Sequence, residues 1–113
     1  MSCLFCDIVE KKIPSEPVFE DDRVYAFKDV HPQAPTHILI VPKKHVATVN
    51  DHADEEASLV GALFLRARDI AKTSGISEKG YRLVVNTNSW AGQSVYHLHL
   101  HLLGGRALSW PPG

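Results

Sequence analysis

His97-Leu98-His99-Leu100-His101-Leu102-Leu103 is the stretch on which the reading of this chain turns. In a β-strand, successive side chains point to opposite faces. The imidazoles of His97, His99 and His101 therefore share one face, and leucines fill the other. Alternation this strict predicts a half-buried strand from Val95 to Leu103, ended by Gly104-Gly105. The leucine face requires a core. The imidazole face is a row of groups able to accept protons, attack electrophiles, bind metal or hold phosphate. A lone histidine is most simply a satisfied structural residue. Three on one face disfavour one another's protonation, so some stay neutral at about pH 7, and a neutral imidazole is a nucleophile, base or metal ligand.

Working outward, Tyr81 to Asn86 reads as the preceding strand, and Thr87 to Ser94, containing Gly92, as a polar loop. One long helix precedes them. Leu59, Leu63, Ala67 and Ile70 recur at helical spacing, Asp51 or Asp54 supplies the cap, and Gly75 the stop. Thr36 to Val41 is an apolar, β-branched strand ending at Pro42, and His31-Pro32-Gln33-Ala34-Pro35 is a loop. Val18 to Glu20 and Val24 to Lys28 read as two short strands around a turn at Asp21-Asp22. Ser2 caps a short helix through Lys11, with Phe5, Ile8 and Val9 on its apolar side, and Pro14 ends it.

The order is helix, three strands, helix, two strands. Short turns favour antiparallel pairing, and one long helix covers one sheet face, giving an α+β layer architecture. At 113 residues the chain, 1–113, is expected to be a single domain. Twelve basic residues against 13 acidic ones give no basis for nucleic-acid binding through bulk charge. No window is long and apolar enough for a membrane span, and the N-terminus lacks a secretory pattern, so a cytoplasmic protein is expected. In that compartment the spacing of Cys3 and Cys6 suggests metal or redox chemistry before a structural disulfide. Two buried thiols packing as small hydrophobes is the plainer alternative.

His37 lies on another strand, Asn86 ends a third, and Ser94 precedes the histidine row. Neutral donors and imidazoles in such number suit an anionic phosphoryl group. A nucleophilic histidine would attack phosphorus, and water would resolve the intermediate.

The histidine row fits the pattern of the histidine triad (HIT) superfamily at every position. Phe19-Glu20-Asp21-Asp22-Arg23, Pro32 to His37, Val41-Pro42-Lys43-Lys44-His45, Gly80 to Asn86, Gly92 to His97 and the tail from Gly104 through Trp110-Pro111-Pro112-Gly113 resemble its nucleotide-binding (HINT) branch. That resemblance implies a five-stranded antiparallel sheet with one long and one short helix, continued across a homodimer. It implies hydrolysis of purine nucleoside phosphoramidates or acyl-nucleotides to the monophosphate. By position, His99 would be the nucleophile, with His101, His37, Asn86, Ser94 and Gly92 around the phosphate or leaving group. Asp29 would accept from the ribose hydroxyls, and Leu4, Phe5, Ile8, Phe27 and Val30 would wall the base. From pattern alone Phe5, Ile8 and Phe27 could equally be core, and Asp29 a turn residue. Trp110 would reach the partner subunit's site.

Several bacterial members place zinc between a cysteine pair and two histidines, which here implies Cys3, Cys6, His45 and His97, a closed structural set. No cofactor is implied for catalysis. The loop Thr87-Asn88-Ser89-Trp90-Ala91-Gly92 departs from the branch's usual Gly-rich acidic sequence, which bears on substrate preference. Other readings are a nucleotide-binding regulatory protein with incidental hydrolysis, a dinucleoside polyphosphate hydrolase, and a protein using the whole histidine row as metal ligands.

Overall fold

The computed structural model describes residues 3–113. Its elements are α1 (Leu4–Val9), β1 (Pro17–Glu20), β2 (Val24–Lys28), β3 (Thr36–Pro42), α2 (Ala57–Thr73), β4 (Tyr81–Val84) and β5 (Leu100–Gly104), with 3₁₀ turns at Val49–Asp51, Asp54–Glu56 and Ser89–Ala91. The strands form one antiparallel sheet in the order β1-β2-β3-β5-β4. The α+β class and the five-stranded sheet expected from the sequence are what the chain adopts.

The alternation along β5 divides the protein into two apolar layers. Leu98, Leu100 and Leu102 point toward α2, where Leu63, Ala67, Ile70 and Ala71 meet them together with Val24, Ala26, Ile38 and Ile40. Full burial of each leucine contributes about 1.5–3 kcal/mol. The opposite face carries a smaller cluster of Phe5, Ile8, Tyr25, Phe27, Leu39 and Val41, which α1 covers. The histidines stand on this second face.

Element ends differ from the sequence expectation in several places, and the short helix is one of them: α1 stops at Val9, and Lys11 at φ +65° takes the chain out of the helix well before Pro14. The histidine strand is regular only from Leu100, not from Val95. Its partner β3 ends at Pro42, which has no N–H to extend the ladder, and the Pro42 carbonyl accepts the His97 Nε2–H instead (2.7 Å). One backbone bond, Leu98 N to Val46 O, holds the segment there. With β5 starting at Leu100, β4 has no partner past Val84 and stops short of Asn86.

The long helix begins at Ala57, and neither Asp51 nor Asp54 caps it. Asp51 closes the preceding turn by accepting from Thr48 N and Oγ1, and Asp54 opens the next turn. Gly75 does stop α2: at φ +76° it follows the cap, Ile76 N reaches Ala71 O and Gly75 N reaches Lys72 O. The expected cap Ser2 lies outside the described residues, and Cys3 caps α1, its Sγ accepting from Cys6 N (3.3 Å). Among the described residues no helix is long and apolar enough to cross a membrane.

Candidate active site

Each ring of the histidine row has one nitrogen committed to a partner, which fixes what the other can do. His97 Nε2 donates to the Pro42 carbonyl, leaving Nδ1 as a lone pair. His99 Nδ1 lies 2.8 Å from the His97 carbonyl, an acceptor, so Nδ1 carries the proton and Nε2 is free. His37 Nδ1 accepts from the Gln33 backbone N–H (3.0 Å), so its proton is on Nε2. That Nε2–H faces His101 Nδ1 at 2.9 Å and Asp29 Oδ2 at 3.4 Å. His101 accepts at Nδ1 and thus presents an Nε2–H donor.

Burial keeps these rings neutral. The pKa of His101 is lowered to about 4, first by desolvation and then by His99 and His37. Burial also lowers those of His37, His97 and His99, with Asp29 opposing at His37 and the accepting carbonyls opposing at the other two. A neutral His99 with a free Nε2, 5.0 Å between ring centres from a donor-bearing His101, is an arrangement for nucleophilic attack on an electrophile that needs its oxygens held.

The remaining expected site residues divide into two groups. Asp29 faces His37 while its Oδ1 also accepts from His31 N, so it belongs to the histidine face and to the turn. Phe5, Ile8 and Phe27 are buried in the second apolar cluster, Phe5 meeting His99 edge-on at 5.0 Å. Leu4 and Val30 lie on the surface, Val30 with 81% of its area exposed. Asn86 is half-buried, and Ser94 and Gly92 are exposed in the loop before the row. Trp110 is 78% exposed and lies over Arg82, whose register partner Leu103 is two positions from His101.

Cys3, Cys6, His45 and His97 converge, their ligand atoms all within 4.8 Å of one another. His97 Nδ1 lies 3.4 Å from Cys3 Sγ, 3.5 Å from Cys6 Sγ and 3.2 Å from His45 Nδ1, and Cys6 Sγ lies 3.4 Å from His45 Nδ1. Such a group can hold a metal ion. Burial, then Cys3 and nearby carboxylates, pushes the Cys6 thiol up to about 11, the penalty a bound cation would remove.

Four contributors are not legible as residue types. The Gln33 N–H and the Pro42 and His97 carbonyls are backbone groups. Gln93 is a buried brace: its Nε2 donates to Ala47 O and Val95 O, and its Oε1 accepts from Asn88 N. Its place in Gly92-Gln93-Ser94 was the only signal available.

An antiparallel α+β sheet presenting a tautomer-fixed histidine row defines a class, and comparison with known proteins agrees. Residues 10–108 match the model of the HIT domain, and the chain belongs to the HIT family. The purine nucleoside phosphoramidase of Escherichia coli K12 is 51% identical over 105 residues, covering 93% of this chain and 88% of that protein. A HIT-like protein of Synechococcus elongatus is 50% identical, covering 97% and 96%. The crystal structure of a HIT family hydrolase from Legionella pneumophila Philadelphia 1 superposes with a TM-score of 0.98 at 56% identity, over 99% of this chain and all of that one.

Proposed function

We propose that this protein, as a single HIT domain of residues 1–113, hydrolyses purine nucleoside 5'-phosphoramidates or acyl-nucleotides to the nucleoside monophosphate. The observation that carries the reading is the free Nε2 of His99, freed because Nδ1 is bound to the His97 carbonyl. Nε2 attacks the α-phosphorus. The bond to the leaving nitrogen or acyl oxygen breaks, the nitrogen taking up a proton and departing as the amine or the acyl group departing as the carboxylate, and a nucleotidyl-His99 forms. Water then attacks phosphorus, the bond to Nε2 breaks, and the monophosphate leaves with His99 restored.

His101 Nε2–H holds a phosphate oxygen or the leaving group, and His37 keeps that proton on Nε2 by donating to Nδ1. Asn86, Ser94 and the Gly92 backbone add donors. Asp29 accepts from the ribose hydroxyls, with Leu4, Phe5, Ile8, Phe27 and Val30 beside the base. The phosphoramidase relative supports the substrate class.

Zinc is the ion we assign to Cys3, Cys6, His45 and His97. Tetrahedral zinc, about 2.3 Å from sulfur and about 2.05 Å from nitrogen, implies S···N edges of about 3.6 Å and N···N edges of about 3.4 Å. The distances of 3.4, 3.4, 3.5 and 3.2 Å fall close to these. All four positions are protein ligands, so the ion would be structural, tying α1 to the sheet.

A homodimer is supported by β4 standing at the sheet edge and by Phe64 and Leu65 exposed on α2. Trp110 would then contribute to the partner's site. Light scattering at twice the 12.5 kDa chain mass is expected. The unpaired thiols are consistent with the cytoplasm.

The deciding experiment mixes the protein with an adenosine phosphoramidate, with His99→Ala as control. AMP from the wild type alone supports the reading. Tight AMP binding without turnover in the wild type overturns it in favour of a binding module.

A further inference from the structure

The metal cluster and the nucleophile are joined by two separate routes. Cys3 and Cys6 flank Phe5 on α1, and Phe5 meets His99 at 5.0 Å and His97 at 6.1 Å between ring centres. His97 itself is the second route. Its Nδ1 faces both sulfurs, while its backbone carbonyl accepts the His99 Nδ1–H that keeps Nε2 free. The thiols are also reachable: both line an open hollow of about 750 Å³ shared with His45, Ser94 and Tyr96. A structural ion needs neither access from solvent nor contact with the reacting ring.

We infer that Cys3 and Cys6 are an oxidisable pair through which a hydroperoxide releases the metal and unpins the nucleophile, an inference that rests on the metal and hydrolase readings above. One metal-bound thiolate attacks a peroxide oxygen. The O–O bond breaks, giving a sulfenic acid and, with a proton from solvent, water. The second thiolate attacks that sulfur, the S–S bond forms, and hydroxide leaves, protonated to a second water. Two electrons pass from the sulfurs to the peroxide. Having lost both thiolates, the metal ion leaves as the free cation. The two sulfurs start within 4.8 Å of each other, and Cys6 N–H already draws Cys3 Sγ to 3.3 Å, so closure needs little motion. Without the ion, α1 and the His97 ring lose their shared anchor, and the peptide whose carbonyl fixes His99 is left with only its Leu98 N–H on Val46 O and the His97 ring on the Pro42 carbonyl to hold it.

The test uses the full-length, untagged, reduced protein loaded with one zinc per chain and treated with hydrogen peroxide. Zinc release is read with a chromogenic chelator, the disulfide by intact mass, the His99 Nδ1–H by ring ¹⁵N NMR, and turnover by AMP release. One zinc should leave per disulfide formed. The His99 signal should be lost, hydrolysis should fall on the order of tenfold or more, and reductant with zinc should restore all of these. In Cys6→Ala, peroxide should leave the rate at its own starting level. Release of zinc with an unchanged His99 signal and rate overturns the inference, as do thiols that survive excess peroxide with zinc in place. A reduced protein that takes up no zinc overturns the metal reading and this inference with it. A loaded protein that makes no AMP overturns the hydrolase reading alone, and zinc release with the NMR signal still decides the coupling.

Discussion

Two clusters flank His99 and look alike by proximity. On one side stand Cys3, Cys6, His45 and His97; on the other, Asp29, His37 and His101. Both bring soft or anionic donors together on the same face of the sheet. They differ in where the second nitrogen of each ring is spent. His97 gives its proton to the Pro42 carbonyl and offers a lone pair to the cluster, as a ligand must. His37 accepts a backbone N–H at Nδ1, so the nitrogen it turns inward carries a proton and cannot ligate. The first cluster can hold a cation, and the second can pass or donate a proton. An imidazole's role is set by the partner behind it rather than by its neighbours in front.

The sharpest way to break this comparison is at the residue between the clusters. His99→Ala should lower AMP release by about 10⁴-fold while leaving metal content at the wild-type level. If the ion left with the imidazole, the whole row would be ligands and the division would fail. His37→Ala tests the proton-bearing side. It removes the donor that orients His101 and should slow hydrolysis by about 100-fold, again with metal content unchanged by elemental analysis.

Removing the ion with a chelator probes the other side. If free zinc stands at about 100 times its Kd, ligation adds about 2.7 kcal/mol, and chelation should lower the thermal midpoint by roughly 10 °C. An unchanged melting curve would mean that the cysteine cluster holds no ion of structural weight.

The smallest expected effect is on pH dependence. The His101 pKa is about 4 in the folded chain, below its ordinary value of 6.5, and burial is the main cause, with His99 and His37 adding to it and Asp29 opposing. Between those values the unfolded chain binds a proton that the native chain excludes, so stability rises with pH across that window and is lost on acidification. His101→Asn should flatten the slope of the thermal midpoint between pH 6.5 and about 4. A slope equal to the wild type's would show that His101 does not set it.

Much of the fold could be read from the chain. The period-two run at Leu98, Leu100 and Leu102 and the helical spacing of Leu63, Ala67 and Ile70 are two halves of one core, and they do meet. Strand ends were less accessible, because β5 begins where Pro42 on a different strand ceases to donate, a fact about pairing rather than local sequence. Of the expected base pocket, the sequence could not separate Phe5, Ile8 and Phe27, which pack together, from Leu4 and Val30, which face solvent. All five are apolar residues in or beside short elements, Leu4, Phe5 and Ile8 on α1 and Phe27 on β2, and only neighbours distant in sequence distinguish them.

The sequence by itself determined which side chains share a face, since alternation along a strand is a property of the local backbone. It also brought the right residue types, with Cys3-Leu4-Phe5-Cys6 and His97-Leu98-His99-Leu100-His101 carrying both thiols and three of the seven imidazoles. Only the tertiary structure decided which imidazole is ligand, nucleophile or donor. That choice depends on the Gln33 N–H and the Pro42 and His97 carbonyls, backbone groups of which every residue has the carbonyl and all but proline the N–H, and which folding alone brings against one ring nitrogen or the other.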